Sequence, residues 1–362
     1  MNFSFCIITK NEKENIERCV NALIPCEREI VVVDTGSDDG TVELLEKMST
    51  KHPLIKVRNF EWCDDFAAAK NYAIEQASCE YVFVIDSDEF VTQIDVSGIE
   101  ALIMANPDSV GRMHRRNVFE GSGVNQENVE WVNRIFSREK YHYVGRIHEQ
   151  IVRRDNADEV TSSIVAGELV YDTYRAPVSV LHTGYDMTDN KREAKARRNI
   201  ALLEKEKEDP YILYQLGKSY YMLGDYPRAC EYFEKGLEYD LDPRLEYVSD
   251  MVETYGYALI NSSRAQDALM FENIYDEFGY TADFHFLMGL IYMNNALFGE
   301  AIEEFERATK FEEAKMVGVN GAMALYNIGV IKECTGDISV ARDFYKKCGD
   351  FGPALERLKQ SK

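Results

Sequence analysis

Asp86 and Asp88 stand one residue apart, directly after an apolar run at residues 81–85. Two carboxylates at the end of a strand can together reach a ribose hydroxyl and a divalent cation. Hard oxygen donors suit Mg2+ or Mn2+, and such a cation offsets the charge of a departing diphosphate. An isolated Asp-x-Asp also occurs in ordinary acidic loops, so its weight depends on its company. A second apolar run, residues 30–33, ends in Asp34-Thr35-Gly36-Ser37-Asp38-Asp39-Gly40, where Asp34 can accept from a base N–H or a sugar hydroxyl. Gly36 and Gly40 supply a tight turn, and Asp38 and Asp39 read as turn and cap residues of the next helix. A third run, residues 3–8, ends in Thr9-Lys10-Asn11-Glu12. His182 closes another, Val180-Leu181-His182. Its neutral imidazole can complete a metal shell, touch a leaving diphosphate, or serve as a hydrogen-bonded structural group.

These endings need a scaffold that carries them to one edge. Up to about residue 90, β-branched runs alternate with helical patterns: strands at 3–8, 30–33 and 81–85, and a polar helix from Lys13 to Leu23. Buried strands separated by helices predict a mostly parallel, doubly covered sheet. Ligands of open α/β sheets sit at the carboxyl ends of strands, so the polar endings predict one crevice.

From about Lys191 the chain turns to Ala, Leu, Glu, Lys and Tyr at helical spacing. Leu213, Leu216-Gly217, Tyr220, Ala229 and Phe233 stand at offsets that recur as Met288-Gly289, Tyr292, Ala301, Phe305 and Ala308. Weaker copies surround Tyr255-Gly256 with Ala268, and Ile328-Gly329 with Ala341 and Tyr345. The glycines lie 39, 33 and 40 residues apart, near the roughly 34-residue tetratricopeptide period. Small residues permit close crossing of two helices, and large ones fill the gap. Four such repeats are predicted over about residues 209–350, with an ordinary helical bundle as the alternative. Stacked helix pairs form a concave surface that often binds peptides. Lys191, Arg192, Lys195, Arg197 and Arg198 make one basic patch, read as a solvated helix face or a positive helix beside a diphosphate.

At 362 residues and 45% hydrophobic, the chain has material for two domains. A net charge of −22 excludes a nucleic-acid surface, which needs concentrated Lys and Arg. The eight cysteines (Cys6, Cys19, Cys26, Cys63, Cys79, Cys230, Cys334, Cys348) form no Cys-x-x-Cys pair and read as reduced, buried small hydrophobes. The N-terminus lacks signal-peptide character, and no run approaches the roughly 18–20 apolar residues of a membrane span. A soluble cytoplasmic protein is expected.

The ordered motifs Ile7-Ile8-Thr9-Lys10-Asn11-Glu12, Val33-Asp34-Thr35-Gly36-Ser37-Asp38-Asp39-Gly40-Thr41 and Ile85-Asp86-Ser87-Asp88-Glu89 resemble family 2 glycosyltransferases of the GT-A fold. Phe60-Glu61-Trp62-Cys63-Asp64-Asp65-Phe66-Ala67-Ala68-Ala69-Lys70-Asn71, together with His182-Thr183-Gly184-Tyr185, is similar to the branch that includes bacterial peptide S-glycosyltransferases of the sublancin type. Proteins of that branch also carry helical repeats after the catalytic domain. The resemblance implies an α/β GT-A domain with a Rossmann-like, mostly parallel sheet at residues 1–190, a helical connector at 191–208, and all-α tetratricopeptide-like repeats at 209–362.

It also implies roles. Thr9, Asn11 and Glu12 would line the nucleotide pocket, Asp34 would bind the uracil-like base, and Asn71 would approach the nucleotide. Asp86, with Ser87, would face the ribose and diphosphate, and Asp88 and His182 would hold Mn2+ or Mg2+. Lys70 belongs to the same pocket but stands where the family often has Arg, which leaves a bidentate phosphate contact open. Trp131-Val132-Asn133-Arg134-Ile135-Phe136 and Gly145-Arg146-Ile147-His148-Glu149 resemble the acceptor side. Glu149 would remove the acceptor proton or, alternatively, pair with Arg146 or Arg153. Glu130 and Asp65 are rival bases, and His148 shares the alternatives of His182. The implied activity is inverting, metal-dependent transfer from a UDP-sugar, UDP-glucose or a related hexose donor, to a peptide or protein side chain gripped by the repeats. The alternatives are a lipid-linked or cell-surface glycan acceptor, and an inactive domain serving as a scaffold. Terminal repeats can also pair into a homodimer.

Overall fold

The computed structural model describes residues 2–119, 126–156, 171–182 and 189–360. They divide into two compact units: Met1–Val118, Glu130–Met187 and Ala201–Lys207 in the first, and Phe119–Val129, Thr188–Ile200 and Glu208–Lys362 in the second.

The first unit opens with β1 (Phe3–Thr9), α1 (Lys13–Leu23), β2 (Ile30–Asp34), α2 (Thr41–Lys51), β3 (Ile55–Asn59), α3 (Phe66–Glu75), β4 (Tyr81–Val84), β5 (Glu89–Ile94) and α4 (Val96–Ala105). It continues through β6 (Val110–Phe119), β7 (Gln126–Ser137), β8 (Tyr141–Val144), β9 (Gln150–Arg153) and β10 (Thr173–His182). Eight strands form one sheet in the order β3-β2-β1-β4-β7-β6-β10-β5, and β8 and β9 form a separate antiparallel pair. β3, β2, β1 and β4 are parallel, as are β6 and β10, whereas β7 runs antiparallel to β4 and β5 to β10.

The helices cover both faces. Along α1, Ile16, Cys19, Val20 and Leu23 recur at helical spacing and are buried. With α2 they cover Phe3, Phe5, Ile7 and Val32, while Ala67, Ala73 and Ile74 of α3 cover Cys6, Val31, Val33, Val82 and Val84. Alternate residues of the same strands therefore feed two cores, which is why these strands read as continuous apolar runs. Asp65 and Asp95 start α3 and α4 by accepting from the backbone N–H groups of Ala68 and Gly98. The register pairs Thr9 with Asp34, and Ile85 donates to the Cys6 carbonyl, so three polar strand endings emerge at one edge.

After α5 (Asp189–Leu203), which runs through the predicted connector, the second unit is built of helical hairpins. α6 (Pro210–Met222) pairs with α7 (Tyr226–Leu237), and α8 (Glu246–Asn261) precedes a 3-10 segment, Asp267–Ile274. α9 (Ala282–Asn294) pairs with α10 (Phe298–Ala308), and α11 (Ala322–Cys334) with α12 (Ile338–Lys347), before α13 (Gly352–Gln360). One contact repeats. A Cβ on Gly217 would sit 2.5 Å from the Phe233 ring, one on Gly289 2.6 Å from Phe305, and one on Gly329 2.5 Å from Tyr345. Each aromatic follows its glycine by sixteen residues and packs against it. Position 272, sixteen after Gly256, is Glu; there Leu287 and Phe271 approach instead, at 2.7 and 2.9 Å.

The stretch after α10 is a run of bends and turns in which Met316 forms a single antiparallel β-bridge with Asn128. Val129 N–H donates to the Lys315 carbonyl and Val317 N–H to the Glu127 carbonyl, both within the second unit. The Asp283 carboxylate accepts from the Lys315 and Met316 amides at 2.8 Å each, and Lys315 Nζ pairs with Asp250.

Among the cysteines, Cys6, Cys19, Cys26, Cys230 and Cys348 are buried free thiols, as expected, and burial pushes Cys348 up to about 11. Cys63 and Cys334 depart from the expectation and are exposed: one lies in the loop before α3, the other at the last turn of α11. Arg197 and Arg198 of the basic patch lie on a solvated helix face, while the side chains of Lys191 and Arg192, like Thr183, Gly184 and Tyr185, lie outside the described residues. No described helix is long and apolar enough to cross a membrane.

Candidate active site

At the shared strand edge, Asp86 is held from both sides. Lys70, buried on α3, places Nζ 2.8 Å from Asp86 Oδ1, and Arg134, buried on β7, places Nη2 2.6 Å from Oδ2. β7 pairs Ile135 with Phe83 and Phe136 with Val82, which brings the preceding Arg134 to the end of β4. Burial works against ionisation of Asp86, but the Arg134 guanidinium and Lys70 ammonium outweigh it and hold the carboxyl well below the usual range. Asp86 is thus a permanent acceptor, unsuited to trading protons.

Lys70 is shared. Its Nζ also lies 2.5 Å from Glu149 Oε1, and burial, which would lower its pKa, is overcome by Asp86 and Glu149. Gly145 and His148, both at positive φ (94° and 53°), fold the loop that delivers Glu149. Arg146 and Arg153, the partners expected for Glu149 in its structural alternative, pair instead with Glu206 and Asp155.

A polar chain continues from Asp86. Glu89, fully buried on β5, accepts from the Asp86 N–H at 3.0 Å, from Arg134 at 3.3 Å and from Arg115 at 2.9 Å. Arg115 also donates to Glu130 at 2.9 Å, and Asn117 Nδ2 donates to the same oxygen at 2.6 Å. Asn117 Oδ1 lies 2.8 Å from His182 Nδ1, and His182 Nε2 lies 3.3 Å from Asp88 Oδ2. The chain begins on one carboxylate of Asp86-Ser87-Asp88 and returns to the other, with Ser87 buried between them.

Among the described residues no three His, Cys, Asp or Glu side chains are arranged to hold a metal. Asp88 and His182 would provide two ligands to such an ion, and their 3.3 Å separation is close to the ~3 Å expected for neighbouring ligands about 2.1 Å from one cation. A site of this kind is completed by substrate phosphates and water. Three cations (Lys70, Arg115, Arg134) against five carboxylates (Asp86, Asp88, Glu89, Glu130, Glu149) leave these side chains at a formal charge of −2, which a divalent cation would offset. An oxygen and an imidazole nitrogen together suit Mn2+ better than Mg2+.

Comparison with known proteins finds family likenesses in both halves of the chain. Residues 4–155 match the glycosyl transferase family 2 model, and residues 210–242 and 282–315 match tetratricopeptide repeat models. The chain carries a family 2 glycosyltransferase domain followed by tetratricopeptide repeats. Over 236 residues it is 25% identical to the SPbeta prophage-derived glycosyltransferase SunS of Bacillus subtilis, covering 64% of this chain and 52% of that protein. Over 155 residues it is 35% identical to the lipopolysaccharide core biosynthesis glycosyltransferase LpsC of Rhizobium meliloti, covering 41% of this chain and 57% of that one. The chain spans about half the length of the curated relatives it matches. Among solved structures, S. aureus TarS aligns with a TM-score of 0.36 at 16% identity, over 74% of this chain and 54% of that chain.

Within the family 2 domain the remaining motif residues shape the edge. The Asp34 carboxylate accepts from the Gly36 and Ser37 amides at 2.9 Å and from the Ser37 hydroxyl, so it builds its own loop. Asn11, at φ 54°, donates through N–H to Ser37 Oγ and accepts from the Asp38 N–H, tying the first loop to the second. Glu12 sits at the start of α1, where its carbonyl accepts from Asn15 and Ile16. Thr9 Oγ1 is buried without a hydrogen-bond partner. Asn71 grips both backbone groups of Tyr143 at 2.9 Å, so both ends of its amide fasten α3 to β8. Asp65 caps α3 and Glu130 is bound by Arg115 and Asn117, which occupies both rival bases. The motifs give no individual role to Glu89, Arg115, Asn117 or Arg134. The available signal was the two-residue spacing of Met113, Arg115 and Asn117, which puts all three on one face of a strand.

Proposed function

We propose that the chain moves a sugar from a UDP-sugar, UDP-glucose or a related hexose donor, to a peptide or protein side chain, with inversion at the anomeric carbon. The observation that carries this reading is the pairing, at one strand edge, of a clamped acceptor carboxylate, Asp86, with the Asp88–His182 couple. Asp86 accepts from the ribose hydroxyls while Lys70 and Arg134 keep it charged and fixed. Thr9, Glu12 and the loop folded around Asp34 line the base side, and the Thr9 hydroxyl has a hydrogen bond to give. Mn2+ held by Asp88 and His182 would supply positive charge to the leaving diphosphate. Glu149 takes the acceptor proton as the anomeric bond forms, oriented by its ion pair with Lys70.

The resemblance of residues 60–71 to sublancin-type peptide S-glycosyltransferases, together with the repeats, supports a peptide acceptor. The 35% identity to LpsC, whose name concerns a lipopolysaccharide core, supports a second reading in which the acceptor is a lipid-linked or surface glycan. Incubation with UDP-sugars and Mn2+ is expected to release UDP from wild type and not from Asp88→Ala. Identical behaviour of the two proteins, without UDP binding, would sink the transferase reading. Intact-mass analysis of co-expressed candidate peptides separates the acceptors, because only the peptide reading predicts an added hexose.

A further inference from the structure

Three strands line up polar side chains beside Asp88. In β10, His182 lies opposite Asn117 of β6 on one side and opposite Glu89 of β5 on the other. Strand alternation puts Arg115 on the same face as Asn117, and both reach Glu130: Arg115 through Nε and Nη2 at 3.1 and 2.9 Å, Asn117 through Nδ2 at 2.6 Å. Arg115 is itself anchored on Glu89.

The orientation of the Asn117 amide follows from these contacts. A carboxylate accepts, so the amide group facing Glu130 is the NH2, and Oδ1 faces His182. Oδ1 lies 2.8 Å from Nδ1. A carbonyl oxygen only accepts, so Nδ1 carries the proton. In a neutral imidazole Nε2 then presents its lone pair, and Nε2 is the atom 3.3 Å from Asp88 Oδ2.

We infer that Asn117, oriented by Glu130 and Arg115, is the positioning residue that sets the His182 tautomer and aims the Nε2 lone pair at Asp88. Its value to the enzyme, and the fit of an Nε2 lone pair 3.3 Å from Asp88 Oδ2, rest on the cation role proposed above for Asp88 and His182; the proton on Nδ1 rests on the Asn117 contact. Groups that orient a ligating histidine typically account for about 10–100-fold in metal affinity.

The test uses 15N-histidine-labelled full-length protein without metal at pH 8.5, above the ordinary imidazole range, with His182 identified through the resonance lost in His182→Gln. Wild type is expected to show a protonated Nδ1 and an unprotonated Nε2. Asn117→Ala should lose that preference, and Asn117→Asp, which keeps an acceptor opposite Nδ1, should retain it. Glu130→Met, at a partly exposed position, frees the Asn117 amide to flip and should mix the tautomers even if Asn117→Ala fails to fold. In parallel, Mn2+ titrations with UDP, followed by electron paramagnetic resonance, should show affinity at least about tenfold weaker in Asn117→Ala and near wild type in Asn117→Asp. An unprotonated Nδ1 in wild type, or an unchanged tautomer in both folded Asn117→Ala and Glu130→Met, overturns the inference. The expected tautomer in a wild type that binds no Mn2+ upholds it and overturns the metal reading instead.

Discussion

Lys70 holds two carboxylates with different tasks: Asp86, locked as an acceptor, and Glu149, the proposed base, at 2.8 and 2.5 Å. Glu149→Gln keeps the shape and removes the proton acceptor. Its turnover should fall by about 10²–10⁴-fold while thermal stabilisation by UDP stays as in wild type. Full activity in that variant would remove Glu149 from the mechanism. Asp34, Asp86 and Asp88 were legible because an apolar run ending in an acid is a local signal. The Lys70–Glu149 pair spans 79 residues and leaves no spacing signature, so the sequence offered the neighbouring Arg146 and Arg153 as partners. The motif implies a nucleotide contact for Asn71; its backbone grip on Tyr143 depends on β8 lying against α3, which no local spacing encodes.

At the scale of elements, each well-formed hairpin of the repeat unit depends on an aromatic ring lying on a glycine. Gly289→Ala would drive a methyl into Phe305, from 2.6 Å, and should cost about 1–3 kcal/mol in urea unfolding. Phe305→Leu, added to Gly289→Ala, should recover part of the loss. If Gly289→Ala proves neutral, the packing described for all three hairpins is wrong. Helix existence was legible because glycine, aromatic and alanine recur at fixed offsets. The 3-10 segment after α8 was harder to see: the copy around Gly256 kept its glycine and Ala268 but has Glu at position 272, where the other copies place a ring. In the sheet, β1, β2 and β4 announced themselves as two-sided apolar runs, whereas β6 and β7 carry polar side chains into the site and lack that pattern.

For the whole molecule, Glu29 and Glu253, shifted in opposite directions, contribute to opposite limbs of the pH response. Burial would raise Glu29, but Lys56, the Ser4 hydroxyl and the amide and hydroxyl of Ser78 hold it at about 2. Its folded form gives up its proton more readily than the unfolded chain, so its stabilisation is complete above the ordinary Glu value and is lost as pH falls toward 2. Burial and the neighbouring Asp283 push Glu253 up to about 8, even with Lys315 at 3.5 Å. The folded state then binds a proton that the unfolded chain has released, and stability declines as pH rises from about 4.3 to 8. Tm measured from pH 3 to 9 should peak between about pH 4 and 5. Glu29→Gln should flatten the acid limb and Glu253→Gln the alkaline one; an alkaline limb unchanged in Glu253→Gln would refute the assignment.

The pairing of Glu127 and Val129 with Lys315 and Val317 also bears on how the protein can be cut. The spatial unit that contains the helices is discontinuous along the chain, drawing in Phe119–Val129 and Thr188–Ile200. A fragment beginning at residue 209 would strip that partner from Lys315 and Val317 and leave one side of a β-bridge as an open edge beside exposed Val317. Such an edge is a template for pairing with another copy. Self-association of the excised repeats would then report on the scissors, not on the intact protein.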